Sequence, residues 1–161
     1  MLAQHKAGIA GVDTRALTLH LREHGAQKAY LHVEDTEMTE AEAIAKAKAW
    51  EGLDGQDYAS KVADPNGYEF NTEGKYHVVA LDFGIKTNIL RNLAAQDMRI
   101  TVLPISATYE QIMAQNPDGV FLSNGPADPN SLPQVYNMVK KLLGTVPLMG
   151  ICLGNQLLAL A

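Results

Sequence analysis

The alternation of short apolar runs with helical stretches over residues 76–161 constrains the fold of this chain more than any other feature. Strands and helices are predicted in turn: strands at 76–82, 99–103, 119–122 and 146–151, and helices at 87–96, at 108–114, before residue 143 and from residue 153. Apolar strands separated by helices indicate a parallel sheet covered on both faces. Because chemistry in such sheets gathers at the carboxyl ends of the strands, we expect functional residues directly after them.

The first third of the chain has a different texture, with alanine-rich helical patterns. Asp13 is predicted to cap a helix that Gly25 ends. Thr39 is predicted to begin a second helix, and Glu42 stands at the position that completes a capping box. A shorter helix is predicted at 57–62.

These patterns divide the chain into three parts. Residues 1–63, with a strand predicted at 29–33 among the helices, indicate a smaller α/β domain. Residues 64–75 are polar and rich in turn formers, which is typical of a linker or an exposed connection. Residues 76–161 carry the parallel sheet.

Composition and charge exclude several functions. The 161 residues are 47% hydrophobic and carry a net charge of −5 without a basic block, which argues against general affinity for nucleic acid phosphates. No apolar run is long enough to span a membrane, and no signal peptide pattern is present. A single cysteine cannot form an internal disulfide, and no metal-ligand cluster accompanies it. We expect a cytoplasmic protein without a metal or cofactor of its own.

The segment Gly150–Ile151–Cys152–Leu153–Gly154 has the form G-x-C-x-G and closes an apolar strand before a helix. This is the thiol version of a nucleophile elbow, in which a sharp turn exposes the nucleophile at the edge of the sheet. Glycines on both sides remove side chains where strand and helix crowd together. The following helix directs its amide groups toward the sulfur, and the Leu153 amide is placed to bind an oxyanion. The alternative, a small buried cysteine between packing glycines, is less compatible with this strand-to-helix context.

Two further segments follow predicted strands. Ser123 to Pro129, which reads Ser-Asn-Gly-Pro-Ala-Asp-Pro, should lie beside the elbow and could present backbone amides to a tetrahedral intermediate. On its own it would be an ordinary turn, since Asn-Gly and Asp-Pro are strong turn formers. Asp82 to Asn88 lacks the glycine pattern of a phosphate site and is interpreted as a strand-to-helix turn with local contacts from Lys86 and Asn88.

A cysteine hydrolase also needs a base, usually a histidine. All five histidines precede Cys152, and His77 is predicted at the start of a strand, at the opposite edge from the elbow. The chain ends within the elbow helix, which would leave Leu157, Leu158 and Leu160 without partners. We therefore expect a fragment of a longer protein.

Taken together, these motifs resemble the small subunits of glutamine-dependent carbamoyl-phosphate synthetase, whose amidotransferase domain is of class I. Residues 150–156 are similar to the family's G-I-C-L-G-H-Q elbow, and residues 123–129 to its S-N-G-P-G-D-P loop. Residues 8–18, G-I-A-G-V-D-T-R-A-L-T, resemble a more selective signature of the N-terminal domain in this family, and residues 79–91 also follow the family. The resemblance covers essentially the whole chain.

The resemblance implies a fold and a set of roles. The chain would be an incomplete class I amidotransferase domain preceded by the end of the smaller N-terminal domain. Cys152 would attack the side-chain amide of glutamine, with Gly125 and Leu153 supplying oxyanion amides and Gln156 contacting bound glutamine. The released ammonia would pass to a large subunit, which binds ATP and Mg and makes carbamoyl phosphate for arginine and pyrimidine biosynthesis. The N-terminal region would help to dock that subunit.

Two positions depart from the family pattern. Asn155 replaces a common histidine, and it need not touch the chemistry. Ala127 replaces the second glycine of the loop, where a methyl group could weaken glutamine binding if the position contacts substrate or requires a positive φ. The triad histidine and glutamate that the family carries downstream are absent, so the chain alone should be inactive. Another class I amidotransferase, or a non-catalytic module that binds a partner subunit, remains an alternative.

Overall fold

The computed structural model describes residues 8–33 and 37–161. The chain forms two compact units, one reaching Gly52 and one spanning Leu53–Ala161. None of the helices in the described ranges is long and apolar enough to cross a membrane. The same ranges contain no group of three or more side chains arranged to hold a metal ion.

The first unit contains the two capped helices that the sequence predicts. Helix α1 spans Thr14–His24, with the Asp13 carboxylate accepting from the Ala16 amide and Gly25 at its C-terminal end. Helix α2 spans Glu40–Ala49, and its capping box is present in both directions between Thr39 and Glu42. Neither helix has a buried residue.

The strand predicted at 29–33 is wrong, because these residues are irregular. A β-strand is stable only when its amide and carbonyl groups pair with a neighbour. Within the described part of the first unit, no segment forms a ladder with residues 29–33.

The second unit is an α/β fold built on a five-stranded, mostly parallel sheet in the order β1-β3-β2-β4-β5. The elements in chain order are α3 (Ala59–Val62), β1 (Tyr68–Asn71), β2 (Tyr76–Asp82), α4 (Thr87–Ala94), β3 (Met98–Pro104), α5 (Tyr109–Met113), β4 (Gly119–Leu122), α6 (Pro133–Leu142), β5 (Leu148–Gly150) and α7 (Leu153–Leu160). Strands β2 to β5 pair in parallel, as predicted. The predicted α/β class with helices flanking a parallel sheet is confirmed.

The segment predicted as a linker belongs to the second unit. Within residues 64–75, β1 pairs antiparallel with β3, with Tyr68 opposite Val102 and Glu69 opposite Thr101. The first unit ends at Gly52, earlier than the predicted boundary at residue 63. The strand was not predicted because polar turn formers surround it. An edge strand is stabilised by hydrogen bonds to its neighbouring strand more than by an apolar pattern of its own.

Apolar side chains fill both faces of the sheet. One face packs against α5, α6 and α7 and buries Phe83, Leu122, Leu153 and Leu157 almost completely. The other face packs against α4 and buries Leu90 and Phe121, among others. Leu157, which was expected to lack partners, therefore lies in the core, while Leu160 is 45% exposed.

His77 lies at the start of β2, the end of the strand that is remote from the elbow, and contacts the neighbouring strand β3. Its side chain is 6% exposed, and its Nε2 lies 2.8 Å from Thr101 Oγ1. Because the Thr101 hydroxyl donates its single hydrogen to Glu69 Oε2 at 3.0 Å, it must accept from His77, which places the imidazole proton on Nε2. The opposite ring nitrogen is buried without a hydrogen-bond partner. His77 is thus a structural residue of the sheet, in agreement with the prediction that it is not the base.

Candidate active site

Cys152 lies in the sharp turn between β5 and α7. Its backbone has φ 54° and ψ −115°, a conformation that non-glycine residues rarely adopt. Its side chain is exposed, although the next residue, Leu153, is buried. The strained turn and the exposed side chain are the geometry predicted for the elbow, and this geometry is confirmed, while the role of Cys152 as a nucleophile stays a prediction.

The flanking glycines are required by close backbone contacts rather than by their φ angles. A Cβ at Gly150 would lie 2.5 Å from the Gly154 carbonyl carbon, where strand and helix cross. A Cβ at Gly154 would overlap the Leu122 carbonyl oxygen. Gly150 therefore lets the end of β5 lie directly against the start of α7, and Gly154 lets α7 start against the end of β4.

Backbone hydrogen bonds join the elbow to the end of β4. The Ile151 amide donates to Leu122 O at 3.1 Å, and the Gly154 amide donates to Ser123 O at 3.0 Å. Leu122 is also the register partner of Gly150. The elbow and the loop that follows β4 are thus adjacent at the carboxyl edge of the sheet, as the sequence predicted.

The loop after β4 packs on the turn that follows β2. Ser123 is fully buried; its hydroxyl accepts from the Phe83 amide at 2.9 Å and donates to Asn124 O at 2.9 Å. Gly125 packs so closely that a Cβ there would overlap the Phe83 carbonyl oxygen. Sequence reasoning missed this partner, because residues 83 and 125 are distant in sequence and only the pairing of β2 with β4 brings them together.

The side chain that holds the turn after β2 differs from the prediction. Asp82 is buried, and its Oδ1 accepts from the amides of Gly84 and Ile85 at 2.8 Å each. Its Oδ2 accepts from the Asp64 amide at 2.9 Å. Asp82, rather than Lys86 or Asn88, therefore fixes the turn.

Ala127 introduces no backbone strain. The non-glycine residues with positive φ in the described ranges are Asp97, Asn116 and Cys152, so Ala127 is not among them. It forms an isolated antiparallel bridge with Asp57. Of the two conditions under which the methyl group could weaken glutamine binding, the positive φ does not apply here, and contact with substrate stays a prediction.

Asp128 ends the loop and holds it to the segment before α3. Its carboxylate accepts from the amides of Asn130 at 2.9 Å and Gly55 at 3.1 Å. These backbone hydrogen bonds, that from Asn130 first, lower the pKa of Asp128 below its ordinary value.

The other predicted substrate contacts lie on α7. Leu153 is its first residue, and the first amides of a helix have no partner within the helix. Gln156 is exposed and lies one helical turn from Cys152, and its backbone amide donates to Cys152 O at 3.1 Å. These positions are compatible with the predicted roles of Leu153 and Gln156 and do not test them.

The strain at Cys152 gives a stability prediction. Cys152→Gly should be more stable than Cys152→Ala by about 1 kcal/mol, because glycine adopts positive φ freely while alanine retains the strain. Urea unfolding of the two variants measures the difference. Asn155 is an exposed position of α7 and serves as the control. There the glycine variant should be less stable than the alanine variant by about 1 kcal/mol, because glycine is a poor helix former. Glycine being less stable at both positions would contradict the strained elbow.

Comparison with known proteins assigns this site to a class. The family model for the class-I glutamine amidotransferases matches residues 79–161, which include the elbow, the loop after β4 and the turn after β2. The chain therefore belongs to the class I glutamine amidotransferase family.

Particular relatives narrow the comparison. The chain is 48% identical to the carbamoyl phosphate synthase small chain of Acinetobacter baylyi, over 99% of this chain and 46% of that protein. It is 45% identical to the small chain of Caulobacter vibrioides, over 100% of this chain and 46% of that protein. It is 42% identical to that of Mycobacterium tuberculosis, over 100% of this chain and 44% of that protein. The chain spans about half the length of the curated relatives it matches.

Proposed function

We propose that this chain is part of the glutamine-hydrolysing small chain of a carbamoyl phosphate synthase, with Cys152 as its nucleophile. The observation that carries the proposal is the strained, exposed Cys152, whose elbow is hydrogen-bonded to the loop after β4. The similarity to carbamoyl phosphate synthase small chains over nearly the whole chain favours this function over that of other class I amidotransferases.

In the proposed reaction, the Cys152 sulfur attacks the side-chain carbonyl carbon of glutamine. The carbonyl oxygen gains negative charge in the tetrahedral intermediate and is bound by the amides of Gly125 and Leu153. Collapse of the intermediate breaks the C–N bond and releases ammonia, leaving a glutamyl thioester on the cysteine. Water then attacks the thioester, which yields glutamate and the free thiol.

A base must deprotonate the thiol and supply a proton to the leaving nitrogen. His77 is the single histidine in the sequence of the second unit, and it is buried in the sheet. We therefore propose that the base comes from outside residues 53–161.

Glutamine would be held by Gln156 from α7 and by Ala127 from the loop, alongside the two oxyanion amides. Ammonia would pass to a large synthetase subunit, and that subunit would bind the ATP and Mg that carbamoyl phosphate synthesis consumes. The first unit, which ends at Gly52, would belong to the end of the N-terminal domain of the small chain and help to dock the large subunit.

The test measures carbamoyl phosphate synthesis by the protein expressed from its whole reading frame together with a large subunit. Cys152→Ser should lower the glutamine-dependent rate by at least about 1,000-fold, because most of the rate enhancement of such an enzyme is lost when its nucleophile is removed. The ammonia-dependent rate should be unchanged, since ammonia enters after the thiol chemistry. The control is Asn155→His, an exposed change in the same helix, which should retain both rates.

Equal loss of both rates in Cys152→Ser would contradict a nucleophilic role. A wild-type protein that binds the large subunit but never releases ammonia would instead support a non-catalytic binding module.

A further inference from the structure

The side chain of Asn124 connects the loop after β4 to the turn after β2. Its Nδ2 donates to Gly84 O at 3.1 Å, and its Oδ1 accepts from the Lys86 amide at 3.2 Å. Donor and acceptor of one amide group therefore both bind backbone of the same turn. A shorter or purely apolar side chain could not form this pair of contacts.

The turn that receives Asn124 is itself held firmly. Asp82 accepts hydrogen bonds from the amides of Gly84 and Ile85, and Phe83 is fully buried. Ser123 adds a second contact, because its hydroxyl accepts from the Phe83 amide. The loop after β4 thus packs on a turn that is itself held by hydrogen bonds to Asp82 and Ser123.

Gly125 follows Asn124 directly and lies against the carbonyl oxygen of Phe83. The elbow has a separate support, since Ile151 and Gly154 bond to the end of β4. The two proposed oxyanion donors are therefore fixed by different parts of the fold: Leu153 by the start of α7, and Gly125 by the contacts with the turn after β2.

We infer that Asn124 is a positioning residue that aims the Gly125 amide at the oxyanion formed over Cys152. This inference rests on the proposed function and adds a residue to it. Asn124 acts through Gly125 and does not touch the substrate. Loss of the Asn124 side chain should leave Cys152 and Leu153 in place and misdirect the Gly125 amide. The loss should therefore destabilise the transition state more than the bound ground state.

The predicted effect is specific enough to separate positioning from general structural support. In Asn124→Ala, kcat for glutamine hydrolysis should fall by about 10- to 100-fold, below the loss expected for complete removal of an oxyanion donor, while KM changes by less than about threefold. The alkylation rate of Cys152 by iodoacetamide should stay at the wild-type value, because alkylation forms no oxyanion. Ammonia-dependent carbamoyl phosphate synthesis and the thermal midpoint should also stay close to wild type.

Asn124→Asp serves as a second variant, since it keeps the acceptor for the Lys86 amide and places an acceptor against Gly84 O. It should lose kcat in the same way, and it keeps the inference testable if the alanine variant does not fold. Asn66→Ala is the matched control. Asn66 is exposed, lies in another turn of the second unit and, like Asn124, precedes a glycine, so its replacement should leave kcat and KM unchanged.

The measurements are made on the protein from its whole reading frame in complex with a large subunit. If wild-type protein hydrolyses glutamine through Cys152 and Asn124→Ala retains full kcat, the positioning role is overturned while the proposed function stands. A rise in KM alone, or a kcat loss accompanied by slower alkylation and a lower thermal midpoint, also overturns it. If wild-type protein shows no Cys152-dependent hydrolysis, the proposed function fails and the positioning role fails with it.

Discussion

Gly154→Ala should lower the free energy of unfolding by about 3 kcal/mol, at the upper end of the cost of overpacking a well-packed site. The added methyl group would overlap the Leu122 carbonyl oxygen, which is a backbone atom, and Gly154 and Leu122 are both buried. Relief requires α7 to move away from β4, which would break the hydrogen bond from the Gly154 amide to Ser123 O. Urea unfolding of the protein from its whole reading frame measures the change.

Gly119→Ala is the matched control for this experiment. Gly119 begins β4, and a Cβ there would lie 3.4 Å from Pro147 O, close to ordinary contact. Its replacement should change the free energy of unfolding by less than about 1 kcal/mol. If Gly154→Ala were as mild as Gly119→Ala, the close packing of α7 on the end of β4 would be refuted.

Gly125→Ala should reduce kcat for glutamine hydrolysis by about 100- to 1,000-fold, the loss expected when one oxyanion donor is removed. A Cβ at this position would overlap the Phe83 carbonyl oxygen, and Phe83 is fully buried and cannot retreat. The loop must lift away from the turn after β2 and take the Gly125 amide with it. Steady-state kinetics with glutamine measures the loss, and iodoacetamide alkylation of Cys152 reports whether the thiol is still in place.

The alkylation rate should match that of the wild type, since the elbow is held by its own hydrogen bonds to β4. Gly119→Ala is again the control, a glycine-to-alanine change in the same strand-loop segment without a clash. Full glutamine turnover in Gly125→Ala would show that the Gly125 amide does not bind the oxyanion.

Features encoded by neighbouring residues were predictable from the sequence. The capping box between Thr39 and Glu42 and the Asp13 cap depend on residues within one helical turn, and both are present. The parallel strands from β2 to β5 follow from apolar runs between helices. The elbow at Cys152 was predictable for the same reason, since the strand, the cysteine and the flanking glycines are contiguous in sequence.

Features that need a distant partner were missed or predicted wrongly. Residues 29–33 have a strand-like composition but no pairing segment in the described part of their unit. Strand β1 is short and lies between turn formers, and it is a strand because it pairs with β3. Secondary-structure propensity is weak compared with the hydrogen bonds that a neighbouring strand provides.

The sequence by itself determined the α/β class of the second unit, the position of the elbow at Cys152 and the identity of the adjacent loop. Only the tertiary structure decided why Gly125 and Gly154 must be glycines, and that Asn124 connects that loop to the turn after β2. The physical reason is range. A local pattern specifies backbone conformation, but a steric contact or a hydrogen bond between two loops exists only once the strands between them have paired.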